Sequence, residues 1–257
     1  MPNPLSLWSR RTRRWLYAII AVLIGVSFLP LSVCAQQEAS WNAHIPEPAT
    51  ARQAPKRSPD SGVFPSQHVL IDAGHGGVDG GTSYGNILEK NINLDIARKL
   101  YLLLKVRGVP VILNRTGDYA LSDDNRWLGV RSRHSKDLAQ RRQLSREVPV
   151  SMFISLHVNW SRRPEVTGPL VLHQNEGRSR LLASLLQDSL NPFFSTHTLP
   201  KPGKTYYLLK HVVQPAVIVE LGYLSNAKDR RMLTDPRSQT AIAVRLCDAI
   251  VHYHTIY

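Results

Sequence analysis

The spacing of apolar residues changes several times along the chain, and each change marks an element. Residues 68–72 (His68-Val69-Leu70-Ile71-Asp72) form a short apolar run that ends in a Gly-rich turn, the pattern of a buried strand. From Asn91 onward, Ile92, Leu94, Ile96, Ala97, Leu100, Leu103 and Leu104 recur at helical spacing. Gly108 closes that helix. Residues 109–113 read as the next strand, and strand, helix and strand in that order predict a βαβ unit with a parallel sheet. Residues 117–136 are polar and irregular, and 137–146 predict a helix of basic character. Strands follow over 150–156, 168–173 and 216–221, helices over 178–190 and 240–253, and a polar loop over 191–205. The alternation predicts an α/β fold: a three-layer sandwich with a mainly parallel sheet of five or six strands flanked by helices.

This patterning starts only near residue 67. Before it, Arg10, Arg11, Arg13 and Arg14 precede an apolar run over residues 15–33. A basic flank followed by 19 apolar residues predicts a signal peptide or signal anchor over residues 1–35. In both cases the basic flank stays cytoplasmic, so the rest of the chain is expected to be exported, in the cell wall or on the outer face of the membrane. Residues 36–66 carry Pro46, Pro48, Pro55, Pro59 and Pro65 without apolar periodicity, which predicts a flexible Pro-rich linker. Residues 67–257 are then the catalytic domain, of a size that supports one core.

Charge narrows the partners. The chain has a net charge of +13, and residues 67–257 hold 25 Lys/Arg against 16 Asp/Glu, an excess of 9. An anionic partner suits that balance, either wall polymer or lipid, although a basic surface without a dedicated partner is the plainer reading. No zinc finger, RNP motif or basic–aromatic run occurs, so nucleic acid is not an expected partner. The two cysteines, Cys34 and Cys247, imply no disulfide framework.

Four places set an acid–base or metal-ligating residue near the end of an expected strand or the start of a helix, where α/β sheets bind ligands. His75 stands in Asp72-Ala73-Gly74-His75-Gly76-Gly77, as a metal ligand or as a loop histidine beside a phosphate cradle. Glu89 opens the long helix, where the helix dipole alone favours an acid. His157 follows the strand 150–156 in Ser155-Leu156-His157-Val158-Asn159, as a ligand or a satisfied edge histidine. Glu220 ends the β-branched run Val217-Ile218-Val219, where a carboxylate is costly unless paired or coordinated. Two histidines and a glutamate make a three-ligand zinc set with a fourth position open to water, and a second glutamate can move protons.

These motifs, together with Asn114-Arg115-Thr116-Gly117-Asp118 and Val219-Glu220-Leu221-Gly222-Tyr223-Leu224-Ser225-Asn226, resemble the zinc-dependent N-acetylmuramoyl-L-alanine amidases, the amidase type 3 family. The resemblance covers residues 67–253, and the segment Asp137-Leu138-Ala139-Gln140-Arg141 also matches. It implies zinc held by His75, Glu89 and His157, with Glu220 catalytic, and peptidoglycan as substrate, cut between N-acetylmuramic acid and L-alanine. The branch it looks most like is the spore-cortex, germination-associated one. Arg115, Arg141 and Asn159 are candidate substrate contacts, the arginines for stem-peptide carboxylates, with a solvated surface arginine as the competing reading. Only 62 residues separate His157 from Glu220, and the elements expected there leave no room for a built-in occluding helix. No added wall-binding repeat domain is expected after the last helix, and the need for an activator protein is left open. Two other readings survive: another zinc hydrolase, such as a carboxypeptidase, and a non-catalytic wall-binding protein.

Overall fold

The computed structural model describes residues 67–257. The expected export segment 1–35, with its apolar run 15–33, and the linker 36–66 lie outside the described residues. Among the described residues no helix is long and apolar enough to cross a membrane.

Strand β1 (His68–Ala73) leads through a short hairpin, β2 (Ser83–Tyr84) and β3 (Ile87–Leu88), into helix α1 (Glu89–Val106). Ile96, Leu100 and Leu104 on α1 are completely buried. Burial of each such side chain contributes about 1.5–3 kcal/mol, which is why an i, i+4, i+8 stripe fixes the face that docks. The chain returns as β4 (Val111–Leu113), parallel to β1, completing the expected βαβ unit. Then come α2 (Arg133–Glu147), β5 (Val150–Asn159), β6 (Leu170–His173), α3 (Gly177–Phe194) and β7 (Lys201–Pro202). The chain finishes with α4 (Tyr207–His211), β8 (Ala216–Tyr223), α5 (Ala227–Thr234) and α6 (Pro236–Ile256).

The main sheet has six strands in the order β4-β1-β5-β8-β6-β7. The first four are mutually parallel, β6 runs antiparallel to β8, and β7 is parallel to β6. Helices α1, α3 and α6 cover one face, over a core that includes Val69, Ile71, Ile154, Val217 and Val219. On the other face Leu70, Phe153 and Ile218 pack under α4 and against Leu138 and Leu144 of α2. The three-layer expectation holds, with the sheet at the upper end of the expected strand number.

Several details differ. Helix α2 begins at Arg133 rather than 137, because Ser132 caps it by accepting from the Ser135 amide. Helix α3 runs to Phe194 and ends on Ser195 in the left-handed region, so part of the expected loop 191–205 is helix and part is β7. The hairpin and helices α4 and α5 were not foreshadowed; each is too short for its apolar period to register. The two helices between His157 and Glu220 both serve the cores. Leu182, Leu186 and Leu190 of α3 and Tyr207, Leu208 and Leu209 of α4 are buried there.

Candidate metal centre

The carboxyl ends of β1, β5 and β8 lie side by side, and the chemistry collects there. His157 of β5 and Glu220 of β8 are register partners on adjacent parallel strands, about 4.8 Å apart in the pairing direction. Side chains alternate along a strand, so His157 shares a face with Ser155, and Glu220 with Ile218. His75 comes from the turn after β1, and Glu89 from the first turn of α1. His75, Glu89 and His157 each offer a ligand atom, all within 4.8 Å of one another. Glu89 Oε1 lies 3.2 Å from His75 Nε2 and 3.0 Å from His157 Nδ1.

Glu89 is almost fully buried, and its neighbours supply what it needs. Its Oε2 accepts from the Thr82 amide at 2.7 Å, and its Oε1 from the Val158 amide at 2.9 Å. Burial opposes its charge, yet the two histidines hold its pKa well below the usual glutamate range. Burial likewise opposes a charge on His75, but the Glu89 and Asp79 carboxylates override it and push its pKa up to about 10. The donor set, two imidazoles and one carboxylate, fits zinc.

Asp79, a residue the sequence reading passed over, accepts from or shares a proton with His75 Nδ1 at 2.9 Å. That contact leaves Nε2 to face Glu89, as a carboxylate behind a ligating histidine does. Burial acts against the Asp79 charge, but the bond to His75 keeps its pKa well below the ordinary range. Asn93, one helical turn after Glu89, donates to both Glu89 Oε1 and the Gly74 carbonyl at 3.3 Å. The i, i+4 spacing of Glu89 and Asn93 was a readable signal.

The turn that carries His75 depends on glycine at two points. A Cβ on Gly74 would overlap the His157 ring. A Cβ on Gly81, whose φ is +67°, would sit 2.5 Å from Glu89 Oε2 and 2.7 Å from the His75 ring. His75 itself has φ 61°, a left-handed conformation that costs a non-glycine residue about 1–2 kcal/mol. Surrounding contacts must over-determine it.

Two arginines supply those contacts, which corrects their expected role. Arg115 is 1% exposed and Arg141 2%. Arg115 donates to the carbonyls of Ala73, Gly74, Lys90 and Gly117 at 2.8–3.1 Å. Arg141 donates to the carbonyls of Ala73 and His75, to Asp72 at 2.6 Å and to Asp137 at 2.5 Å. Both guanidinium groups are committed to the protein interior, so neither is placed to receive a stem-peptide carboxylate. Burial and the charge of Arg141 lower Arg115 to about 10, still protonated at neutral pH. Burial opposes the charge on Arg141 too, but Asp72 and Asp137 raise its pKa. Asn159, the third expected contact, is half-buried at the end of β5, its Oδ1 accepting from the Trp160 amide at 2.7 Å.

Glu220 is buried in the same strand-end region. Tyr223 lies three residues on, its hydroxyl pushed up by burial and by the charges of Glu220 and Asp229. Asp229 on α5 accepts from the amides of Gly168 and Tyr223 and from the Thr167 hydroxyl. That network fixes the turn which carries the chain away from Glu220.

Comparison with known proteins agrees with this geometry. The germination-specific N-acetylmuramoyl-L-alanine amidase of Bacillus subtilis (strain 168) is 29% identical over 190 residues, 73% of this chain and 79% of that one. Among solved structures, the CwlD amidase of Clostridioides difficile, determined in complex with the GerS lipoprotein, superposes with a TM-score of 0.69 at 31% identity. The match covers 75% of this chain and all of that one. The catalytic domain of CwlV, the amidase of Bacillus (Paenibacillus) polymyxa var. colistinus, gives 0.63 at 28% identity, over 74% of this chain and 99% of that domain. The family model described as N-acetylmuramoyl-L-alanine amidase matches residues 69–252, from the second residue of β1 to the last turns of α6. The chain therefore belongs to the N-acetylmuramoyl-L-alanine amidases, enzymes that hydrolyse the amide between N-acetylmuramic acid and L-alanine in peptidoglycan.

Proposed function

We propose that this amidase is zinc-dependent, that His75, Glu89 and His157 hold the ion, and that Glu220 is its proton carrier. The observation that carries the reading is the pairing of His157 with Glu220 across β5 and β8, beside a three-donor cluster. Zinc bound there supplies water of lowered pKa and polarises the scissile carbonyl. The chain's own residues do the rest. Glu220 takes the proton of the attacking water on its carboxylate and delivers it to the departing L-alanine nitrogen, the acid–base exchange expected of a carboxylate held out of bulk solvent. Asp79 keeps His75 in the ligating orientation. Asn159, two residues past His157 at the end of β5, is the substrate contact we retain from the three candidates.

The domain is exported and works on the wall, and the germination-specific relative supports spore cortex as its substrate. The solved neighbour is bound to a lipoprotein, and a protein of that kind is our candidate regulator here. Co-expression with lipoproteins encoded in the same genome, followed by assay of metal content and turnover, tests it.

The central test uses Glu220→Gln and His157→Ala. Glu220→Gln is expected to retain one zinc per chain and lose about 10²–10⁴-fold in turnover on purified wall. His157→Ala is expected to lose the metal as well. Near wild-type turnover by Glu220→Gln sinks the mechanism. Release of single amino acids instead of intact stem peptides would mark a carboxypeptidase.

A further inference from the structure

Beside the metal centre stand two aromatic rings that the core does not use. Trp160 immediately follows β5, and Tyr84 ends β2 in the hairpin. Each is 46% exposed, and their ring centroids lie 6.5 Å apart at an interplanar angle of 34°. Arg230, on α5, lays its guanidinium 3.6 Å over the Tyr84 ring. That arginine is itself held, donating from Nη1 to the Leu224 carbonyl at 2.7 Å. A cation over an aromatic face contributes about 0.5–1 kcal/mol at an exposed site, enough to bias the ring's orientation. Tyr84 thus neighbours a planar group from each of two other segments, and the three make one row in the sense of pairwise contacts through Tyr84.

The row adjoins the chemistry. Thr82, two residues before Tyr84, donates its amide to Glu89. Trp160 is three residues past His157, so their Cα atoms are within about 11 Å of each other. Neighbouring exposed rings are an apolar surface that folding alone does not require, and such patches mark binding sites. The substrate offers two kinds of surface. Its stem peptide presents amide edges and carboxylates, which call for hydrogen-bond partners and cations. Its glycan presents N-acetylated pyranose rings, each with a flat face of C–H bonds and hydroxyls at the rim. Half-exposed aromatic rings match the second kind, since the quadrupole of an aromatic face attracts polarised C–H groups.

We propose that Tyr84 and Trp160, oriented by Arg230, form the subsite for an amino-sugar ring of the glycan strand next to the scissile amide. The subsite rests on the amidase reading for the identity of its ligand, while its occupancy can be measured without any bond being cut.

The experiment uses the full chain, loaded with zinc. Binding of peptide-free glycan strands of alternating N-acetylglucosamine and N-acetylmuramic acid is followed by calorimetry, and kinetics are measured on a disaccharide-peptide substrate. Trp160→Ala and Tyr84→Ala are each expected to weaken glycan binding and raise KM by about tenfold, with kcat within about twofold. Trp160→Phe restores binding to within about threefold of wild type, which separates ring stacking from misfolding. Loss of glycan binding stands as support even for a preparation that cuts nothing. Unchanged glycan binding in both alanine variants overturns the subsite, as does loss of affinity for free stem peptide with glycan affinity retained. If Trp160→Ala fails to fold, the hairpin variant Tyr84→Ala decides the matter alone.

Discussion

A single methyl group at Gly74 would intrude on the proposed ligand set. Its Cβ would occupy the space of the His157 ring. Gly74→Ala is expected to fold, because the new Cβ meets the His157 ring rather than backbone, yet to bind zinc at least about tenfold more weakly. Metal titration read beside circular dichroism checks both halves. Asp72 shows the opposite sensitivity. It is fully buried against Arg141 and also accepts from Ser155 Oγ and Asn114 Nδ2 at 2.5 Å each. Removing one member of a buried ion pair costs about 3–5 kcal/mol, so Asp72→Ala is expected to lose that much stability in denaturant unfolding. At this scale the sequence was informative where cost could be read locally. Glu220 at the end of a β-branched run and His157 after a strand stood out. Asp72 occupies the same kind of position, and the same reasoning would have demanded a cation for it. Its partner lies 69 residues away on α2, and no periodicity carries information over that distance. Arg141 therefore looked like a surface residue when it is among the most buried side chains.

Elements with a long apolar stripe were legible and short ones were not. β1, α1, β5, β8 and α6 follow their patterns because each buries a face against the sheet or forms its middle. The hairpin and α5 owe their form to caps and turns instead. Asn226 caps α5 by accepting from the amides of Lys228 and Asp229, and Asp229 in turn ties down Gly168 and Tyr223. Asn226→Ala is expected to cost about 1 kcal/mol. Asp229→Ala is expected to cost about 3 kcal/mol, because it leaves buried amides unpaired. Equilibrium unfolding of the two variants gives the ranking. Helix α3 carries a pH signature. Burial pushes the carboxyl of Glu176, its cap, upward, but bonds from Ser179 and the Arg178 amide outweigh that and lower its pKa below the ordinary glutamate range. A depressed carboxylate stabilises the fold above its unfolded value, and that contribution disappears as pH falls through the folded value. Glu176→Gln is expected to flatten the stability curve on the acid side of the ordinary glutamate range, as measured by thermal melts at descending pH.

For the whole molecule, the described residues, 67–257, hold the four proposed site residues, the two cores and the strands of the main sheet. A protein comprising only those residues is expected to fold and to cleave a soluble muropeptide with kcat/KM within about threefold of the full chain, a comparison that steady-state kinetics makes directly. Binding to intact wall is expected to weaken as salt screens the excess of nine positive charges in that region. The outermost strands have their own consequence. β4 spans three residues and β7 only two, one of them Pro202, which has no backbone hydrogen to donate. A second chain approaching either margin finds almost nothing to zip onto. Crowded into the meshwork it digests, the enzyme is thus built so that its sheet does not act as a template for fibrous aggregation.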